Sequence, residues 1–304
     1  MQIQPCGPLR GEITVPGDKS ISHRAVMLGA LANGTTHITG FLMGEDCLST
    51  IDCFRKMGVE INITDDEVIV EGVGLHGLEA PSEALYTGNS GTTTRLLCGI
   101  LAGQPFTVTM SGDPSIQKRP MGRVMKPLRE MGASIEGKND NFCPLTLFPS
   151  ELHGIEYRLP VASAQLKSAI LLAGLYAEGQ TTVIEPAPSR DHTERMFRAL
   201  GVEIETSGST ITLDPPEDLH AVDIAVPGDI SSAAFFLVAG AIVPGSELTI
   251  KNVGVNPTRT GVLDVLRDMG ADITESNFRD EAEPMCDLTV KYSKLHGVEI
   301  GGAI

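Results

Sequence analysis

The feature that most restricts how this chain can fold is an internal repeat with a period of about seventy residues. Four stretches share one pattern: Ser20-Ile-Ser-His-Arg-Ala-Val-Met-Leu-Gly-Ala-Leu-Ala, Gly91-Thr-Thr-Thr-Arg-Leu-Leu-Cys-Gly-Ile-Leu-Ala, Ser163-Ala-Gln-Leu-Lys-Ser-Ala-Ile-Leu-Leu-Ala-Gly-Leu and Ser231-Ser-Ala-Ala-Phe-Phe-Leu-Val-Ala-Gly-Ala-Ile-Val. Each joins small polar residues at a helix start to an apolar body, a glycine stop (Gly34, Gly103, Gly179, Gly245) and a β-branched strand. The starts Ser20, Gly91, Ser163 and Ser231 lie 71, 72 and 68 residues apart. A second anchor keeps step: shorter amphipathic segments end at Gly58, Gly132, Gly201 and Gly270, spaced 74, 69 and 69.

Each unit therefore reads as helix, strand, helix and two strands; in the first unit these last are 59–64 and 67–71 about an Asp65-Asp66 turn. The first helix of each unit has no polar face, as in Ala169-Ile-Leu-Leu-Ala-Gly-Leu, so it is expected to be buried on all sides. The second, such as 193–200, is amphipathic and is expected to cover an outer face. An α/β fold with helices inside and sheets outside follows from the pattern alone.

Charge narrows the function. Lysines and arginines number 23 against 39 aspartates and glutamates, a net −16, which disfavours nucleic acid or an anionic membrane as partner. No apolar run approaches the ~18 residues of a membrane span, and the N-terminus lacks a signal-peptide pattern. Cys6, Cys47, Cys53, Cys98, Cys143 and Cys286 are scattered without a C-x-x-C pair, so they read as buried thiols of a cytoplasmic protein without a structural metal.

Against that acidic background, cations at the starts of apolar helices stand out. Lys19, Ser20 and Arg24 open the first; Asn89, Gly91, Thr92 and Arg95 the second; Ser163, Gln165 and Lys167 the third. A helix N-terminus offers free N–H groups and a positive dipole end, so added cations there make sense when an anion is bound. Two loops, Gln117-Lys118-Arg119-Pro120 and Ser189-Arg190-Asp191-His192, precede the second helices of consecutive units and add Arg119 and Arg190. The plainer reading makes Ser20 and Ser163 helix caps and pairs Arg190 with Glu194 one turn on.

Val15-Pro-Gly-Asp-Lys-Ser-Ile-Ser-His-Arg-Ala, Thr87-Gly-Asn-Ser-Gly-Thr-Thr-Thr-Arg-Leu, Lys118-Arg-Pro-Met, Ser163-Ala-Gln-Leu-Lys-Ser-Ala and Ser189-Arg-Asp-His-Thr-Glu resemble the signatures of EPSP synthases, in order along the whole chain. The resemblance implies the inside-out, two-lobe α/β enolpyruvyl transferase fold, three units per lobe, with the active site in the cleft. Four of the family's six units are present. Residues 20–225 are then expected to form a complete three-unit lobe, and 1–19 with 226–304 part of a second. Residues 1–15 read as strands with no partner among the first lobe's own units.

The activity implied is transfer of the enolpyruvyl group of phosphoenolpyruvate to the 5-hydroxyl of shikimate 3-phosphate, through a tetrahedral intermediate and without metal or organic cofactor. By matching position, Lys19, Ser20, Arg24, Ser163, Ala164, Gln165 and Arg190 would hold shikimate 3-phosphate. Lys19, Gly91, Arg119 and Gln165 would hold phosphoenolpyruvate. Ala164 departs from the second serine of many members, leaving only its backbone to offer. The family's acid/base aspartate and further cations would fall beyond Ile304, so the chain reads as C-terminally truncated and of little activity alone. Two alternatives stay open: a UDP-N-acetylglucosamine enolpyruvyltransferase, although that family carries Lys-Asn where Lys19-Ser20 stands and a cysteine in the loop at 111–119, and a non-catalytic anion-binding fragment.

Overall fold

The computed structural model describes residues 7–65 and 67–301. Expectations for residues 1–6 (Cys6 included), for Asp66 at its turn and for the last three positions lie outside the described residues. The chain forms two compact units, Lys19–Ile224 and a second made of Met1–Asp18 with Ala225–Ile304.

In chain order the elements are strand β1 (Arg10–Ile13), helix α1 (Lys19–Leu31), β2 (Asn33–Thr39), α2 (Glu45–Lys56), β3 (Glu60–Ile63) and β4 (Glu67–Val73). The second repeat follows as β5 (Leu85–Tyr86), α3 (Gly91–Ala102), β6 (Val108–Ser111), α4 (Gly122–Glu130), β7 (Ser134–Lys138) and β8 (Phe142–Phe148). The third is β9 (Glu156–Arg158), α5 (Ala164–Gly174), β10 (Thr181–Ile184), α6 (His192–Ala199), β11 (Ile204–Ser207) and β12 (Thr210–Leu213). The last comprises β13 (Ile224–Ala225), α7 (Ile230–Ile242), β14 (Glu247–Gly254), α8 (Gly261–Asp268), β15 (Asp272–Asp280) and β16 (Pro284–Lys291).

The helix–strand–helix–hairpin order of every repeat matches the sequence reading. Ahead of the first buried helix the reading expects strands, and β1 lies there, paired with β14; what it lacks is the short strand ahead of each of the other three. It lies parallel beside the strand that follows that helix in the second and third repeats, β5 on β6 and β9 on β10. The first repeat takes its fourth strand from farther away, giving the order β13-β2-β4-β3. β5, β9 and β13, of two or three residues, are too short for a period-2 signal, so nothing in their sequence announces them.

Inside the first unit, α1 is buried from Ile21 to Leu31, and α3 and α5 are buried over most of their length. A Cβ added at Gly99 would stand 2.2 Å from the Ala169 carbonyl oxygen, so α3 and α5 touch backbone to backbone. The outer helices bury one stripe, as α2 does with Cys47, Ile51 and Phe54. The strands alternate buried with partly exposed residues, β8 and β12 among them.

The second sequence anchor has a local cause. Gly58, Gly132, Gly201 and Gly270 all take positive φ, between 88° and 101°, just past the ends of α2, α4, α6 and α8. The residue after each glycine donates back to a carbonyl five positions earlier: Val59 to Phe54, Ala133 to Leu128, Val202 to Phe197 and Ala271 to Leu266, at 2.9–3.1 Å. These are Schellman closures, which need a residue without a Cβ at the left-handed position. Three positions before the glycine, Arg55, Arg129 and Arg198 each donate Nε to the carbonyl of Ile61, Ile135 or Ile204 in the next strand, at 3.1–3.2 Å. Those cations are thereby spent on structure.

In the second unit the sheet runs β1-β14-β16-β15, with β1 parallel to β14. Here one expectation is corrected. Helix α7 is not buried all round: Ile230, Ala233, Leu237, Gly240 and Ala241 face the sheet, whereas Phe235 is 79% exposed and Phe236, Val238 and Ile242 are exposed beside it. In the first unit α1, α3 and α5 have no such exposed apolar face.

Candidate functional site

The first turns of α1, α3 and α5 converge on a cavity of about 230 Å³ within the first unit. Among the described residues its lining holds five cations, Lys19, Arg24, Arg95, Arg119 and Arg190, against one carboxylate, Asp46. Like charges gathered this closely repel unless an anion sits among them. A larger depression of about 310 Å³ near Gly201 carries Glu203, Asp214, Glu217 and Asp218, charges of the wrong sign for an anion.

Each cation is held by identifiable partners. Lys19 Nζ lies 2.7 Å from Asp46 Oδ2, in the first turn of α2. Arg24 is only 4% exposed, and donates to Thr193 Oγ1 (2.8 Å), the Ser20 carbonyl (2.9 Å) and Ser168 Oγ (2.7 Å). Its guanidinium is therefore oriented before any ligand arrives. Arg95 donates to Gln165 Oε1 at 2.8 Å, and Gln165 Nε2 donates to Thr92 Oγ1 at 3.0 Å, tying α3 to α5 across the cavity. Arg119 donates to Asn89 Oδ1 at 2.7 Å, and Arg190 reaches Ser20 Oγ at 3.3 Å.

Gly91 sits beneath two of these groups. A Cβ there would come within 2.8 Å of Arg95 Nη1 and 3.3 Å of Arg119 Nη1. Burial lowers the Arg95 guanidinium from its ordinary value, with the charges of Arg123 and Arg119 adding to the effect. All three observations describe a cationic surface crowded up to the α3 N-terminus, with the glycine leaving the space that a bound anion would use.

The sequence candidates divide accordingly. Lys19, Ser20, Arg24, Gly91, Ala164, Gln165, Arg119 and Arg190 all line the cavity, as do Thr92 and Arg95. Ser163 is not part of that lining; it caps α5 beside it, accepting from the Leu166 amide at 3.4 Å. Ser20 lies inside α1 rather than at its cap. Lys167 requires correction as an anion-facing cation. It is 1% exposed and paired internally with Glu185 (2.9 Å) and Glu194 (2.6 Å). Glu194, the supposed partner of Arg190, is thus held by Lys167.

Asp46 escaped sequence reasoning, because Glu45-Asp46 at the start of α2 reads as an ordinary response to the helix dipole. Arg259 also escaped, although it precedes α8 as Arg119 and Arg190 precede α4 and α6. Its guanidinium meets Asp18 and Asp229, each at 3.0 Å, and Asp229 caps α7. In the fourth repeat the corresponding arginine is therefore neutralised from within.

Comparison with known proteins resolves the family. Residues 3–301 match EPSP synthase (3-phosphoshikimate 1-carboxyvinyltransferase). The chain belongs to the EPSP synthase family. A 3-phosphoshikimate 1-carboxyvinyltransferase of Geobacillus thermodenitrificans is 62% identical over 298 residues, spanning 97% of this chain and 69% of that protein. The Bacillus anthracis protein of the same name is 58% identical over 305 aligned positions, covering 99% and 71%. A solved EPSP synthase structure from Acinetobacter baumannii superposes with a TM-score of 0.94 at 52% identity, over 98% of this chain and 68% of that one. The chain thus spans about 69% of the length of its Geobacillus relative. Its fold is that of an EPSP synthase and its activity is that of a carboxyvinyl transferase. UDP-N-acetylglucosamine chemistry is not favoured. No described helix is long and apolar enough to cross a membrane.

Proposed function

We propose that the cavity at the α1, α3 and α5 starts is where this chain binds two anionic substrates, shikimate 3-phosphate and phosphoenolpyruvate. The observation that carries this reading is the charge balance: five cations and one carboxylate around about 230 Å³, in a chain of net charge −16. Arg24, Arg190, Ser20 and Gln165 take the phosphate and ring hydroxyls of shikimate 3-phosphate. The Ala164 amide at the first turn of α5 and the Ser163 backbone add contacts there. Lys19, Gly91, Arg119 and Gln165 take phosphoenolpyruvate, with the Gly91 backbone approaching closely.

In the reaction the 5-hydroxyl gives up its proton as its oxygen adds to C2 of phosphoenolpyruvate and C3 gains a proton. The tetrahedral adduct then loses a C3 proton as the C2–O bond to phosphate breaks. Nothing is oxidised or reduced, so the task of these residues is to align two polyanions against their repulsion and to hold the departing phosphate. Lys19 and Arg119 are assigned to that phosphate. The buried thiols suit a reducing compartment such as the cytoplasm.

Calorimetry with shikimate 3-phosphate tests the assignment. Arg24→Ala removes charge-assisted bonds worth about 1.5–3 kcal/mol each, so affinity drops by at least tenfold. Unchanged affinity in a folded Arg24→Ala chain refutes the site.

A further inference from the structure

We propose that Lys167, Glu185 and Glu194 act together as a buried positioning cluster that sets where Arg190 and Arg24 stand over the cavity. The proposal rests on Arg190 being a shikimate 3-phosphate ligand. Three ionisable side chains, 1%, 6% and 2% exposed, meet beneath the loop between β10 and α6. Lys167 lies one turn into α5, whose first turn carries Ala164 and Gln165 on the cavity wall. Its ammonium pairs with Glu185 just after β10 and with Glu194 in the first turn of α6.

The cluster holds the residue preceding Arg190 at two points. Lys167 Nζ donates to the Ser189 carbonyl at 3.4 Å, and the Ser189 hydroxyl donates to Glu185. Pro186, Pro188 and Arg190 are exposed, and Arg190 reaches Ser20 Oγ at 3.3 Å from the end of this short segment. The neighbours of the clamp serve the other cation. Ser168 follows Lys167 and Thr193 precedes Glu194; their hydroxyls lie 2.7 Å apart, and both accept from Arg24.

Stability alone gives little reason for such a cluster, because apolar side chains of similar volume commonly replace buried ion pairs without loss. Geometry supplies one: a charge pair fixes the register of α5, which carries Ala164 and Gln165 on the cavity wall, against α6, whose Thr193 accepts from Arg24. Burial raises the Glu194 carboxyl above its ordinary value against the pull of Lys167.

A double-mutant cycle on the full chain tests this, with shikimate 3-phosphate affinity read by calorimetry and folding by thermal melting. Ser189→Ala, the mild variant, is expected to weaken binding by about 2- to 10-fold, the size of one lost hydrogen bond, with the melting midpoint nearly unmoved. In an Arg190→Ala background the same substitution is expected to change nothing, because the group it positions is gone. Lys167→Met, where it still melts cooperatively, is expected to lose more than Ser189→Ala and to couple with Arg24→Ala. An unchanged affinity in Ser189→Ala, or an equal loss with and without Arg190, overturns the positioning role. Failure of the underlying site reading looks different: Arg190→Ala by itself then leaves shikimate 3-phosphate affinity intact.

Discussion

Arg95 on α3 and Gln165 on α5 meet across 2.8 Å, and that bond fixes the separation of two helix starts that would each bind an anion. Because Gln165 gives its oxygen to Arg95 and its amide to Thr92, its flip state is set by its partners. Gln165→Glu keeps the shape but places a carboxylate on Arg95. It neutralises one cation and repels incoming anions, so affinity for shikimate 3-phosphate should fall by tenfold or more, about 1.4 kcal/mol at least. Calorimetry beside a thermal melt checks this; binding as tight as wild type contradicts it.

Gly91→Ala probes the end of the cavity proposed for phosphoenolpyruvate. The new methyl collides with the tips of two arginine side chains rather than with backbone, so those tips can swing aside. Stability should change by less than about 1 kcal/mol. Phosphoenolpyruvate binding, measured with shikimate 3-phosphate saturating, should weaken clearly, while shikimate 3-phosphate affinity holds. The reverse ranking argues against Gly91 facing phosphoenolpyruvate.

Gly132→Ala supplies the contrasting case. Its φ is +101°, and a Cβ would stand 2.7 Å from the Glu151 carbonyl oxygen, a backbone atom that cannot step aside cheaply. The left-handed conformation alone costs about 1–2 kcal/mol. Denaturant unfolding should show at least that loss, with shikimate 3-phosphate affinity preserved in the folded fraction.

Glu194 gives the chain a defined pH response. Its folded-state pKa is raised by burial, so the folded chain holds the proton more tightly than the unfolded one. The associated stability is complete below the ordinary glutamate value of 4.5 and declines as pH rises above it. Glu194→Gln cannot lose that proton. Its melting temperature, compared with wild type from pH 4.5 to 8, should gain on the wild type as pH rises. Parallel curves show that Glu194 ionises in the folded chain at no cost.

Some of this protein was decided by local chemistry and could be read from residues. The Schellman glycines and their period are local because a left-handed position admits few side chains, so Gly58, Gly132, Gly201 and Gly270 mark four unit ends in sequence and in space. The all-apolar helices announce a helical interior because nothing polar is left to face water. Cations at helix starts are legible because they oppose the dipole, and Lys19, Arg24, Arg95, Arg119 and Arg190 do line one cavity.

Tertiary structure decided what depends on partners far away in the chain. Lys167 and Arg24 look alike in sequence, both one turn into an apolar helix. Only packing shows that Lys167 turns toward Glu185 and Glu194 while Arg24 lines the cavity. Arg119 and Arg259 occupy the same loop of their repeats, yet Asp18, 241 residues away in sequence, takes the charge of Arg259. The partnering of β1 with β14 and the exposed face of α7 belong to the same class. Periodicity states which face of a segment is apolar; which neighbour covers that face, and which countercharge meets a buried cation, is settled only when distant parts of the chain come together.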